Sequence, residues 1–375
     1  MPERVHNGRV AVVGGGVLGA ATATALAREG AHATLVTDAQ LSSGASGRSL
    51  SWLNSYGRRS DAYHQLRMLG LDRYRRLAAG GDVSDWLRFD GGLTWAPAGR
   101  AERHQADFEH MRRVGYDAQW LSRDDVAARI PGVDPAAIPD EGAIFNPGEG
   151  WVELPSLIEH LAHEFVSAGG TVVENAGRST VVVSDDTVTG VRTASGKTLE
   201  VDAAVLATGP AVPAMLADVG VTVPDATPVS LLVRTPPVGA DLRSVLNTPR
   251  VAIRPAPDGC LVMDAGWSER EIVIGENGSY GVHESTLAGL LEEGSRVLAG
   301  NPTLELKSYG VGPKPIPGDG EPVVGELPGI TGYHVIFTHS GATLALIIGE
   351  LLAREVVTGT PSPLLSSFRP GRFGA

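Results

Sequence analysis

The sequence is poor in cysteine, in positive charge and in long apolar runs, and each shortage removes a class of function. Cys260 is the single cysteine among 375 residues, so internal disulfides and zinc–thiolate clusters are excluded. It reads as a small buried apolar residue, and the lone thiol fits a reducing cytoplasm. Lys and Arg number 31 against 43 Asp and Glu, a formal net charge of −12, which argues against nucleic acid or an anionic membrane as the main partner. The most apolar run beyond the N-terminal strand, Ala342–Ala353, is too short to span a bilayer and carries Glu350. The opening MPERVHNG is polar and charged, unlike a signal peptide. What remains is 42% apolar and 20% charged content, that of an ordinary globular chain with room for two lobes and a large core.

The chain is organised around Arg9–Gly19, RVAVVGGGVLG. Val10–Val13 reads as a buried parallel strand that runs into Gly14-x-Gly16-x-x-Gly19, and Val17–Glu29 reads as a helix ending at Gly30. The three glycines meet three steric demands: a tight turn, close approach of backbone to a pyrophosphate, and close packing of helix on strand. Bare N–H groups and the positive dipole end at the helix start suit the same anion. A second strand, Ala33–Val36, follows. The acidic residue expected about 20 positions on, to bind the ribose hydroxyls, falls on Thr37 with Asp38 beside it, and either residue serves.

Leu41–Ser51, LSSGASGRSLS, is a small-residue loop with one arginine, Arg48, able to neutralise phosphate. With this loop the chain resembles the FAD-dependent oxidoreductases of the D-amino-acid oxidase type, which include glycine and sarcosine oxidases. The resemblance implies that Ser46, Gly47, Arg48 and Ser49 pass under the diphosphate and ribityl chain, beside Gly14, Gly16, Val17, Leu18 and Gly19. It covers the first 55 residues, about 150–210 and about 310–358.

Between these stretches the pattern is mixed. Asp61–Ala79 shows a helical apolar stripe with Arg and Asp on its other face. Trp86–Trp95 reads as two short strands about Asp90-Gly91-Gly92. Ala101–Val114 and Ser122–Ile130 are helical, the second capped by Ser122, and Pro131–Pro139 is a loop. Leu154–Ser167 is helical, Thr171–Glu174 a strand, and Thr180–Ser184 with Val188–Thr193 an antiparallel pair. Ala203–Leu206 is a buried strand ahead of Thr208-Gly209. By the resemblance, Val181 or Val182 lies near the adenine and Thr208-Gly209 approaches the dinucleotide. Val229–Arg234, Val251–Arg254 and Cys260–Asp264 read as strands, the last two joined by an Asp258-Gly259 hairpin turn. Ser285–Leu298 is helical.

The C-terminal stretch carries the resemblance furthest: KPIPGDGEPVVG from Lys314, an apolar strand at Tyr333–Phe337, then Thr338-His339-Ser340-Gly341 opening a helix over Ala342–Val357. In that family the helix start, here His339, Ser340, Gly341, Ala342 and Thr343, faces the flavin pyrimidine edge. Unpaired N–H groups there stabilise the charge of a reduced ring, and Ser340 is expected to cap. Gly318-Asp319 lies in a proline-rich turn before the last strand, which disfavours an aromatic hydroxylase.

The expected fold is α/β: a Rossmann-like FAD-binding domain from 1–85, 146–223 and 308–375. A discontinuous, mainly antiparallel α+β substrate domain is expected from 86–145 and 224–307. The implied activity is oxidation of an amine C–N bond to an imine by hydride transfer to non-covalent FAD, reoxidised by oxygen or another acceptor. Oxidation of a C–O or C–C bond on the same fold, or a non-catalytic flavin-binding subunit, are the alternatives. Family members that tether the flavin use a cysteine before the final strand region or a histidine near the GASG loop, and neither is present here. By the resemblance, aligning the PIPGDG run puts Lys314 where an arginine commonly grips a substrate carboxylate, and an alternative alignment through Gly310–Pro313 puts Gly312 there; either way the two-pronged clamp is missing. The substrate is therefore expected to be a larger amine or amino-acid derivative, positioned by Trp52–Tyr56 and by Arg254. Trp52, Tyr56, Lys314 and His339 are the candidate substrate-side residues.

Overall fold

The computed structural model describes residues 8–97 and 99–374. Its first layer is a six-stranded sheet in the order Val323–Glu326, Tyr333–Phe337, Ala203–Leu206, Arg9–Val13, His32–Val36, Thr171–Val173. All pairings are parallel except that of the edge strand Val323–Glu326. The central strand has four fully apolar positions because both of its faces are covered. Val10 and Val12 pack into the core shared with the helices Val17–Arg28, Leu154–Ser167 and Gly341–Thr358. Ala11 and Val13 face a second core, under the meander of Thr180–Ser184, Thr187–Arg192 and Thr198–Glu200. The helix Asp61–Gly80, capped by Ser60 onto the Tyr63 N–H, contributes Leu66, Leu71 and Tyr74 to the first of these cores.

The second layer is an eight-stranded sheet in the order Ser308–Pro313, Val229–Arg234, Leu261–Asp264, Ala252–Pro255, Val245–Asn247, Gly92–Thr94, Ala143–Asn146, Gln119–Leu121. It is antiparallel apart from the pairing of Val245–Asn247 with Gly92–Thr94. Strand alternation sends Ile253 and Met263 into a separate core with Leu287 and Leu290 of the helix Glu284–Val297. Their neighbours Ala252 and Asp264 point the other way, into a cleft between the two sheets.

Three features differ from expectation. The strands flanking Gly91 do not pair with each other. Leu87–Arg88 joins Gly150–Val152 and Trp52–Leu53 in a small sheet, while Gly92–Thr94 enters the large one. Val245–Asn247, inside the proline-rich stretch, is a strand too short to show a period. Ser308–Pro313, assigned from sequence to the nucleotide domain, pairs along Val229–Arg234 as an edge of the second sheet. No helix among the described residues is long and apolar enough to cross a membrane.

Candidate active site

The cleft encloses about 860 Å³ and runs from the Gly14–Leu18 turn to the start of the final helix, Gly341–Thr358. At its first end the chain leaves the central strand through Gly14, whose φ of +124° suits glycine. A Cβ on Gly14 lies 2.3 Å from the Ala207 carbonyl oxygen, and one on Gly19 lies 1.8 Å from the Gly14 oxygen. These two are packing glycines. Gly16 differs: a Cβ there meets only Ser46 Oγ, at 3.2 Å, because its other side is open to the cleft. The first helix begins at Gly16 without a side-chain cap, and the Val17 N–H donates to Ser46 Oγ at 3.0 Å.

Around this turn the expected residues are brought together with few exceptions. Val17, Leu18, Thr37, Asp38, Ser46, Arg48, Ser49, Thr208 and Gly209 all line the cleft. Thr37 is buried, while Asp38 is exposed and accepts from the Ala39 N–H at 2.9 Å. Gly47 is not in the lining; it lets the loop pass the Ser42 carbonyl, which a Cβ would approach to 2.4 Å. Arg48 donates to the Ser43 carbonyl at 2.8 Å, and burial lowers its pKa from the ordinary value. Val181 packs against the core beneath the meander instead of lining the cleft. Arg178 and Ser179, just before it, do line the cleft, and the sequence reading missed both.

At the other end, Thr338, His339, Ser340, Gly341, Ala342 and Thr343 form the wall. Ser340 occupies the N-cap position but makes no cap bond. Its Oγ meets the Tyr63 hydroxyl at 2.6 Å and receives a hydrogen bond from Arg67. Arg67 is almost wholly buried and also donates to the backbone oxygen and Oδ1 of Asn54 at 2.9 and 2.8 Å. This corrects the expectation that the arginines of that helix lie on its outer face. An arginine in register with Tyr63 and Tyr74 on the apolar stripe was the signal available. His339 is exposed and lines the cleft. Desolvation, then Lys314, Arg67 and Arg59, push its pKa down to about 4, so the ring is neutral at pH 7.

Trp52 and Tyr56 stand together with ring centroids 5.8 Å apart, and the Trp52 indole donates to Glu149 Oε2 at 2.8 Å. Lys314 lines the opposite wall with Nζ 2.5 Å from Glu269 Oε1. Arg254 does not line this cleft. It is 1% exposed, held by Glu153 at 2.6 Å and the Pro255 carbonyl at 2.7 Å, and stacked over Trp151. It is a structural cation, since burying a guanidinium demands full pairing. Arg59, not singled out from the sequence, lines the cleft with a buried Nε that has no partner among the described residues.

An elongated dinucleotide fits this geometry. Two helix starts whose N-cap residues make no cap bond face one cleft, the floor at Gly16 is bare of a Cβ, and Arg48 and Arg178 stand beside it. The comparisons agree. The family model described as FAD dependent oxidoreductase (DAO) matches residues 9–355. Glycine oxidase of Geobacillus kaustophilus (strain HTA426) is 25% identical over 393 residues, spanning 98% of this chain and 99% of that protein. The 4-methylaminobutanoate oxidase (formaldehyde-forming) of Paenarthrobacter nicotinovorans is 34% identical over 229 residues, 58% of this chain but 26% of that protein. The crystal structure of glycine oxidase from Geobacillus kaustophilus superposes with a TM-score of 0.79 at 23% identity, covering 97% of this chain and 99% of that one.

Proposed function

The chain belongs to the DAO family of FAD-dependent oxidoreductases, and from that premise we propose that it oxidises the C–N bond of a small amine or amino-acid derivative to an imine. Gly14–Leu18, Ser46, Arg48 and Ser49 hold the diphosphate, Thr37 or Asp38 the ribose, and Arg178 with Ser179 the adenosine end. When bound, FAD supplies the acceptor for the hydride that leaves the substrate carbon, and it passes the electrons to oxygen or another acceptor. The N–H groups of Gly341 and Ala342 at the start of the final helix line the same cleft and would stabilise negative charge on the bound flavin.

The other residues bind and orient. Trp52 and Tyr56 close one side of the cleft and exclude water, with Leu231, Asn247 and Ala252 of the large sheet opposite. His339, neutral at pH 7, donates or accepts a hydrogen bond without carrying charge. Lys314 is neutralised by Glu269, so it does not act as a carboxylate anchor. The FAD-binding part comprises 1–85, 146–223 and the chain after Pro313, and the substrate part 86–145 and 224–313. The protein works in the cytoplasm, where a buried free Cys260 stays reduced.

The observation that carries this reading is the uncapped helix start at Ser340, turned onto the same cleft as the Gly16 floor. Anaerobic titration of the FAD-loaded protein with primary, secondary and cyclic amines is the test. Amines are expected to bleach the flavin, and 2-hydroxy acids are not. Bleaching by hydroxy acids alone would refute the C–N assignment.

A further inference from the structure

On the substrate side of the cleft Lys314 has a partner in Glu269, but one carboxylate has no hydrogen-bond partner among the described residues. Asp264 ends the strand Leu261–Asp264 and, opposite in phase to the core residue Met263, turns into the cleft. Its side chain accepts no hydrogen bond from any described residue. The two charged groups facing it are Lys314 and Glu269, and Lys314 Nζ is engaged by Glu269 at 2.5 Å. The three together carry a net charge of −1 at neutral pH. Asp264 is half-buried in the cleft wall; burial raises its carboxyl to about 6, with Lys314 opposing the rise, so it is largely ionised at pH 7 and open to a cation entering the cleft.

We propose that Asp264 recognises a second, non-reacting cationic nitrogen of the substrate, making the substrate class an amine that carries a further ammonium or guanidinium group. This rests on the C–N reading above. The nitrogen at Asp264 is not the one oxidised, for an electronic reason: a facing carboxylate keeps an ammonium protonated. The nitrogen that drives out a hydride must have its electron pair free. A carboxylate substituent is disfavoured at this wall, since it would meet both Asp264 and Glu269. The reacting end then extends from Asp264 past Lys314 towards His339, which lines the same cleft.

The FAD-loaded protein is titrated anaerobically with butane-1,4-diamine, butan-1-amine and 4-aminobutanoate, following both the flavin difference spectrum on binding and its bleaching. The diamine should half-saturate the spectral change at a concentration lower than butan-1-amine by on the order of ten-fold. Asp264→Asn should bring that ratio close to one. Lys314→Met, which leaves Asp264 and Glu269 without their cation, should widen it. Equal half-saturation by diamine and monoamine in the unaltered protein, preference for 4-aminobutanoate, or a ratio unmoved in Asp264→Asn overturns the proposal. So does a diamine that never perturbs the flavin. Binding without bleaching by any amine would instead refute the C–N reading and leave the Asp264 ratio measurable.

Discussion

The hydroxyl of Tyr63 lies 2.6 Å from Ser340 Oγ, and Arg67, one helical turn after Tyr63, donates to the same oxygen. The helix Asp61–Gly80 thereby holds the residue at the mouth of the final helix, and the N–H groups that Ser340 would otherwise cap stay free for a ligand.

Removing the Ser340 hydroxyl therefore has an effect unlike the loss of a cap. Ser340→Ala and Ser340→Gly should both strand a buried guanidinium N–H and a phenol, at a cost of roughly 1–3 kcal/mol. A mere cap would lose only a few tenths in Ser340→Gly. Tyr63→Phe should cost about 1 kcal/mol, because Arg67 keeps its acceptor. Denaturant midpoints of the three variants decide; a near-neutral Ser340→Gly would show that the Tyr63–Ser340–Arg67 contact is not stabilising.

Gly16 and Gly19 separate cofactor binding from folding. A methyl at Gly19 collides with the Gly14 carbonyl at 1.8 Å, whereas one at Gly16 finds only Ser46 Oγ at 3.2 Å. Gly16→Ala and Gly16→Val are expected to fold yet purify as colourless apoprotein, the side chain taking the space of the pyrophosphate. Gly19→Ala should lose soluble yield instead. Normal flavin occupancy in Gly16→Val would mean that the dinucleotide lies elsewhere.

These contrasts mark what was legible in the chain. Periodicity and glycine placement located the central strand, the first helix and the final helix to within a residue or two, since short-range sterics dictate them. The GASGR loop and the His339–Thr343 wall followed from a family likeness. Non-local partners were not legible: Arg254 looked like a cleft residue, yet Glu153, about a hundred positions away, claims it. Asp264 looked like an ordinary strand end, because only the pairing of Leu261–Asp264 with Ala252–Pro255 turns it inward. Arg178 and Ser179 were missed because the meander's alternation shows which residues pair, not which end meets a ligand.

The flavin should not be covalently attached. Cys260, the lone thiol, is buried with Ala256 and Val262 against Leu50 and Leu232, outside the main cleft. Acid precipitation should leave all yellow colour in the supernatant. Colour in the pellet would point to His339, which lines the cleft, as the attachment point.

Glu149 is fully buried beneath Gly92. Its Oε2 accepts from the Trp52 indole at 2.8 Å and its Oε1 meets the Tyr116 hydroxyl at 2.5 Å. Burial pushes its pKa from 4.5 up to about 8, against the pull of these two donors and of Arg67. The sign follows from linkage: the folded protein binds a proton that the unfolded chain releases, so the stabilisation is complete below pH 4.5 and is lost as pH rises through about 8. The unfolding free energy should therefore fall between pH 5 and 8 by an amount on the order of a kcal/mol or more, read from denaturant titrations at each pH. Glu149→Gln mimics the neutral acid: its amide accepts from Trp52 and donates to Tyr116, which also receives the Ser55 N–H at 2.9 Å. That variant should show a flatter profile and greater stability at alkaline pH. Because Trp52 lines the cleft, the flavin spectrum of the unaltered protein should shift with an apparent pKa near 8 and that of Glu149→Gln should not. Superimposable pH profiles for the two proteins would mean that Glu149 is ionised throughout, its charge held by Trp52, Tyr116 and Arg67.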